Sequence, residues 1–377
     1  MTFQYSPGFF RSLIFNALLN LQLCGLASDE NCAELVGKFY ERGFYVLSSD
    51  DNDDDPDDLV LQPIFRSWYG ILLLRATSDD EKAIKTLEQA LKDFEAVSVT
   101  ENVSSTRDCA ENELQMRYLC MALRARSSGD SSGAGDFASR LSDIVHRSNS
   151  SNNSWQSALI LAVWERTEKR EDVAKKLIQP VIAVAIDMFT DGNDENDLQA
   201  WDRLSCALAA SGDALNATAA IFFVKQFKEI VGRREDLIPK PADEEPGLEE
   251  AVSEDFNAER AVSEEGFAQI TGSGGTDKDS KGQTTSYYRC TCDGCLKRVS
   301  IRWIQYRCSN CLSIDFCASC HQLLLGGKLK QNICDKSHEF LRIPAVTGPL
   351  PEGKIRVNNQ DIAIKDWLDG LKRQWDL

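Results

Sequence analysis

Eight of the 13 cysteines in this 377-residue chain fall between Cys290 and Cys334, and their spacing is the first chemistry the sequence offers. Cys292-Asp-Gly-Cys295 is followed after 12 residues by Cys308-Ser-Asn-Cys311, and after five more by Cys317-Ala-Ser-Cys320. Thirteen residues further on comes Cys334-Asp-Lys-Ser-His338. Two thiolates two residues apart turn toward one ion through a tight loop, which is why zinc sites use this spacing. Three such pairs plus a Cys-x-x-x-His supply eight ligands, enough for two closed tetrahedral sites. Packing cysteines have no reason to pair three times, and paired thiols at metal-ligand spacing favour a reducing compartment over a disulfide framework. The candidate metal ligands are therefore Cys292, Cys295, Cys308, Cys311, Cys317, Cys320, Cys334 and His338. Cys290, two residues before the first ligand, and His321, directly after Cys320, read as bystanders. His146 reads as structural or solvated, and Cys24, Cys32, Cys109, Cys120 and Cys206 read as core residues.

The chemistry available to such a site is restricted. Four protein ligands per ion leave no open position for water, which disfavours metal-assisted hydrolysis. The chain has three histidines, His146, His321 and His338, and no Ser/His/Asp set is legible among them. No phosphate-binding Gly-x-x-x-x-Gly-Lys-Ser/Thr motif is present either. The expectation is a binding protein and not an enzyme.

The elements that carry these residues divide the chain into four parts. Residues 1–233 read as helix after helix, with hairpins beginning near residues 7, 62, 108, 154 and 198. Ser78 and Glu81 form a capping-box pattern, and Ala83, Leu87, Ala90, Leu91 and Phe94 recur at helical spacing behind it. An almost regular period of 44 to 46 residues over the later hairpins suggests stacked two-helix repeats. Residues 234–284 read as an acidic flexible linker: positions 235 to 265 hold 12 acidic and two basic side chains, and Gly272 to Gly282 is rich in Gly and Ser. Residues 285–345 hold the cysteine pairs, with Trp303, Ile304, Tyr306, Phe316, Phe340, Leu341 and Ile343 as the expected small core. Residues 346–377 read as a hairpin of Lys354–Val357 and Ile362–Ile364 around Asn358-Asn359-Gln360. A helix bearing Trp367, Leu368, Leu371 and Trp375 follows it. The acidic run from Asp50 to Asp58 lacks the turn Gly and closing Glu of a calcium loop and reads as a solvated connection.

Two family resemblances follow from these residues. Trp201, Leu204, Leu208, Ala217, Ile221 and Val224 resemble the tetratricopeptide pattern, and Gly70, Ala83, Leu87 and Ala90 follow the same order with one residue inserted. The segments CDGC, IQYRCSNC, LSIDFCASC and CDKSHEFLRIP are similar to a ZZ-type zinc finger, with Cys334 where that family has its first histidine. The resemblance implies cross-bracing, in which Cys292, Cys295, Cys317 and Cys320 hold one zinc and Cys308, Cys311, Cys334 and His338 the second. It also implies recognition of a basic peptide N-terminus through acidic side chains, which correspond here to Asp293 and Asp315. The family's additional acidic position falls on Ser313. The finger, hairpin and Trp-rich helix together resemble the C-termini of fungal helical-repeat proteins. The expected fold class is thus mainly α: tetratricopeptide-like helical hairpins followed by a small cross-braced two-zinc finger.

Composition narrows the partners. The chain carries 42 Lys and Arg against 59 Asp and Glu, a formal charge of −17, which argues against direct nucleic-acid binding. The most apolar stretch, Ser12 to Ala27, is interrupted by Asn16, Asn20 and Gln22 and reads as an amphipathic helix, so no membrane association is expected. The function expected from sequence is a zinc-binding adaptor, cytoplasmic or nuclear, joining protein partners or peptide N-termini. The alternative is a RING-like zinc-dependent ubiquitin ligase or its substrate-recognition component, which the absence of a histidine between the second and third ligand groups disfavours.

Overall fold

The computed structural model describes residues 30–47, 56–76, 80–97, 101–148, 154–193, 195–236, 292–295, 297, 299, 303–312, 314–329, 333–345 and 350–377. The expectations placed on Ser12–Ala27, on most of the acidic run, on Ser78, on the linker beyond Asp236, and on Cys24, Cys290 and Ser313 fall outside these residues. The chain divides into two units, Met1–Gln226 with Cys290–Leu377, and Phe227–Arg289.

Most described residues are helical. After α1 (Glu30–Leu47) come four hairpins: α2 (Pro56–Ala76) with α3 (Asp80–Phe94), α4 (Glu101–Ser127) with α5 (Ser131–Ser148), α6 (Ser154–Thr167) with α7 (Glu171–Met188), and α8 (Asp197–Ser211) with α9 (Ala214–Asp236). α3 shows why such segments are helices. Asp80 and Glu81 sit in its first turn and Lys92 in its last, complementing the helix dipole, while Ala83, Ile84, Leu87, Ala90 and Phe94 are buried on one face. The hairpin turns are short because single residues take left-handed backbone: Gly129 at φ +84° between α4 and α5, Lys169 at φ +60° between α6 and α7, and Gly212 at φ +79° between α8 and α9. In the first hairpin the helices meet at Gly70. A Cβ there would lie 2.6 Å from Leu87 Cγ, so the close crossing requires glycine.

Successive first helices also pack on one another, α2 on α4, α4 on α6 and α6 on α8, giving an inner row backed by the second helices. Arg166 of α6 ties two hairpins together by donating from Nη1 to the Ala210 carbonyl at the end of α8, at 2.7 Å. The residues of the repeat-like pattern, Trp201, Leu204, Leu208, Ala217, Ile221 and Val224, are all buried.

The cysteine-rich segment forms a three-stranded antiparallel sheet in the order β2–β1–β3, with β1 Gln305–Cys308, β2 Asp315–Cys317 and β3 Phe340–Ile343. A short helix, α10 (Ala318–Leu325), follows β2. β4 (Lys354–Val357) and β5 (Gln360–Ala363) then form a hairpin. Asn358 and Asn359 both have positive φ, which makes a two-residue turn and places Gln360 in the strand opposite Val357 instead of in the turn. α11 (Ile364–Trp375) buries Trp367, Leu368, Leu371 and Trp375, the residues expected from the sequence, with Ile364 opening the helix and not ending the strand.

These C-terminal elements and the helical array share one unit and one apolar core. Leu341, Ile343, Ile355, Trp367 and Leu371 are continuous with the buried residues of α1 to α9. Trp367 stacks on Trp201 with ring centroids 5.7 Å apart and donates from Nε1 to Asn216 Oδ1 at 2.7 Å. Trp303, expected in the finger's core, is 60% exposed. It lies just before β1, and among the described residues the strand pairing begins only at Gln305. No helix among the described residues is long and apolar enough to cross a membrane.

Candidate metal centres

Two clusters of four ligand-bearing residues form in this segment. The ligand atoms of Cys292, Cys295, Cys317 and Cys320 lie within 4.8 Å of one another, as do those of Cys308, Cys311, Cys334 and His338. All eight candidate ligands are thereby brought together, in the grouping that the ZZ resemblance implies. The first and third pairs share one cluster; the second pair joins the last.

The sheet produces this interleaving. β1 ends on Cys308 and β2 on Cys317, and in the antiparallel register Gln305 faces Cys317 while Cys308 faces Phe340 of β3. Cys308 therefore points toward the loop carrying Cys334 and His338, while Cys317 is carried to the other end of the sheet, beside the Cys292–Cys295 turn. Within that turn a Cβ on Gly294 would lie 2.8 Å from Cys320 Cβ, so only glycine lets the two pairs converge. The glycine between the first two cysteines is thus a requirement of the cluster.

Backbone N–H groups point at the sulfurs. Cys317 N donates to Cys292 Sγ at 3.2 Å, Cys320 N to Cys317 Sγ at 3.5 Å, and Cys311 N to Cys308 Sγ at 3.2 Å. Such donors favour the thiolate form, which is the metal ligand. Cys317 is also the N-cap of α10, so the positive end of that helix faces the first cluster.

In the second cluster His338 presents Nδ1 to three sulfurs, at 3.5 Å from Cys308, 3.3 Å from Cys311 and 3.5 Å from Cys334. Cys311 and Cys334 sulfurs are 3.8 Å apart. A tetrahedron with zinc-like bond lengths has S–S edges of about 3.8 Å and S–N edges of about 3.6 Å. The observed separations match those edges, so three thiolates and an imidazole here fit a divalent cation of zinc's size. Against this, His338 Nε2 is buried with no hydrogen-bond partner among the described residues.

Burial raises the Cys292 thiol to about 11, whereas, despite burial, hydrogen bonds hold Cys317 below its ordinary value. The loops are fixed by hydrogen bonds independent of any ion. Ser309 N donates to Glu339 O at 3.0 Å and Glu339 N to Asn310 Oδ1 at 3.0 Å, joining the Cys308–Cys311 turn to the residue after His338. Asp335 Oδ1 accepts from Ser337 N at 2.9 Å, shaping the turn between Cys334 and His338.

Asp293 and Asp315, the residues expected to read a peptide end, lie side by side at the edge of the first cluster. Asp293 Oδ2 accepts from Asp315 N at 2.7 Å, while Asp293 N donates to Asp315 O at 2.9 Å. Burial lifts the Asp293 carboxyl to about 6. The Asp315 carboxylate accepts two hydrogen bonds from Arg307, at 2.9 Å from Nε and 2.6 Å from Nη2. His321 lies in neither cluster; its ring stacks on Tyr306 at 3.9 Å and meets Phe340 edge-on. His146 is exposed near the end of α5, with Nδ1 2.7 Å from the Ser142 carbonyl.

One sulfur near the clusters carries no signal in the sequence. Cys120 of α4 is buried, and its Sγ lies 3.7 Å from Cys311 Sγ. It is 191 positions from its neighbour and has no cysteine or histidine at metal-ligand spacing within α4, where Cys109 is the other cysteine, so no spacing rule points to it. No family model matches the chain, and no curated protein and no solved structure matches it either.

Proposed function

We propose that the protein is a zinc-binding adaptor whose ZZ-type finger and tetratricopeptide-like helical hairpins mediate protein–protein interaction. The observation that carries this reading is the pair of closed four-ligand clusters, one of four cysteines and one of three cysteines with a histidine. Soft thiolate and imidazole donors at tetrahedral separations select zinc among the common divalent ions. With every coordination position filled by protein, the ions organise structure and do no hydrolytic chemistry, so the protein acts by binding and not by catalysis.

Partner binding is supported by the outside of the finger, where Trp303, Leu323 and Leu325 are exposed. An exposed tryptophan is the kind of anchor that dominates protein interfaces. Recognition of a basic peptide N-terminus through Asp293 and Asp315 remains part of this proposal. On that reading an incoming ammonium or guanidinium competes with Arg307 for the Asp315 carboxylate.

Elemental analysis of the purified full-length chain tests the central claim. Two zinc ions per chain are expected; none or one overturns the two-centre reading. A peptide array of varied N-termini on the zinc-loaded chain then tests the ligand, and binding insensitive to the first residue rules out end recognition.

A further inference from the structure

The finger meets the helical array through the loops of the second metal cluster. Cys120 of α4 reaches the ligand Cys311, sulfur to sulfur at 3.7 Å. Arg124, one turn further along α4, donates from Nε to Asp335 Oδ2 at 3.0 Å, next to the ligand Cys334. Cys206 of α8 lies 3.9 Å from the carbonyl of Leu312, next to Cys311. Arg166 of α6 is 3.9 Å from Glu339, next to His338. Three helices of the inner row thus each contact a residue that is, or adjoins, a ligand of one cluster. Met116 and Cys120 extend α4 into the finger's own apolar core, against Cys308, Cys311 and Phe316. The first cluster meets the array more sparingly, through the charge of Arg75 on α2 near Asp293, and backbone N–H groups of the finger serve sulfurs in both clusters.

Charge follows the same pattern. Three thiolates, a neutral imidazole and a divalent cation sum to −1, and this cluster is faced by cations from α4. Arg117, buried and paired with Asp80, lies within electrostatic range of Cys311 and Asp335, and Arg124 pairs with Asp335 directly. A surface with this shape and charge exists only while Cys308, Cys311, Cys334 and His338 are held together. The free energy of metal binding adds to the Ser309–Glu339 and Glu339–Asn310 hydrogen bonds in closing those loops.

We propose that α4 is the outer wall of the second metal centre: the Cys120 thiol donates to the Cys311 sulfur and Arg124 fixes the Cys334–His338 loop, so that metal occupancy and docking of the finger on the helical array are one reciprocal equilibrium. Cys120 and Arg124 are positioning residues and not ligands. The inference rests on the metal reading above and assigns it a consequence: the array tightens the second ion, and loss of that ion frees the finger, each by the same factor.

The test uses the full-length, zinc-loaded chain and a chromogenic chelator that reports zinc release. Wild type releases its two ions in two phases. In C120A/R124Q, which leaves all eight ligands in place, one ion is released about 10-fold faster, the usual cost of losing an outer-shell partner, and the other at the wild-type rate. C120S recovers part of the loss because a hydroxyl also donates. R124Q alone, at a side chain 43% exposed, shows a smaller acceleration and keeps the test valid if C120A impairs folding. Peptide mapping of alkylated thiols supplies the reciprocal measurement: Cys120, 6% exposed, is shielded in the loaded chain and is modified once the ion whose release C120A/R124Q accelerates is removed. Wild-type release rates in C120A/R124Q, or continued shielding of Cys120 after zinc removal, overturn the inference while leaving the metal reading intact. A wild-type chain with fewer than two ions overturns the metal reading itself.

Discussion

Asp315 lies two residues before the candidate ligand Cys317, and a cation from the neighbouring strand, Arg307, grips its carboxylate. Arg307 and Asp315 are register partners on β1 and β2, with side chains only 14% and 20% exposed. Burial works against the charged guanidinium, but the Asp315 carboxylate holds the Arg307 pKa above its ordinary value. A bidentate pair in this setting has both directional hydrogen bonds and partial desolvation behind it. R307A leaves Asp315 half-buried without its fork of donors and is expected to cost the zinc-loaded chain about 1–3 kcal/mol, read from denaturant unfolding. R307K, which keeps the charge but cannot bind bidentately, recovers only part of that. Stability equal to wild type in R307A would show that the pair is solvated and worth little.

At the level of elements, the last hairpin depends on a helix more than a hundred residues away in sequence. Trp201 of α8 is packed by Phe189 at 4.7 Å, Phe223 at 4.3 Å and Trp367 of α11 at 5.7 Å. α11 is further pinned by Gln179 Nε2 donating to the Trp375 carbonyl at 2.8 Å and by Gln374 Nε2 donating to Asp213 Oδ2 at 3.0 Å. An array of helical hairpins needs its terminal apolar face covered, and α11 covers it in cis. W367A removes the stack and leaves Asn216 Oδ1 without this donor, so a loss of about 3–5 kcal/mol is expected. Hydrogen exchange should locate the loosening in α8 and α9. Uniform loss of protection across α2 to α9 would instead mean that the array unfolds as one block. The helical periodicity of α3 and α11 was readable because one face is apolar and the other charged. The start of the second hairpin was harder to place: α4 begins at Glu101, seven residues before the expected 108, because its first turns are polar and carry no stripe.

For the whole molecule, the decisive question is which parts need metal. The buried core of α1 to α9 is continuous and takes in Leu312, Leu341 and Ile343, whereas the cluster around the candidate ligands adds, among the described residues, only Cys120, Val299, Phe316 and Leu324 as buried apolar groups. Chelating both ions is therefore expected to leave the far-UV helical signal largely intact while protection in β1, β2 and β3 is lost. Collapse of the helical signal with the metal would show that the finger supports the array as well as resting on it. By itself the sequence determined the eight candidate metal ligands and the succession of helices. Ligand pairs obey short, fixed spacings, and amphipathic helices repeat every three to four residues, so both are local patterns that survive in one dimension. Tertiary structure alone decided that Arg307 claims Asp315, that Trp367 seals Trp201, and that Cys120 lies against Cys311. Each of these joins partners through register or packing across the fold, at separations of 8, 166 and 191 positions, for which no local spacing rule exists.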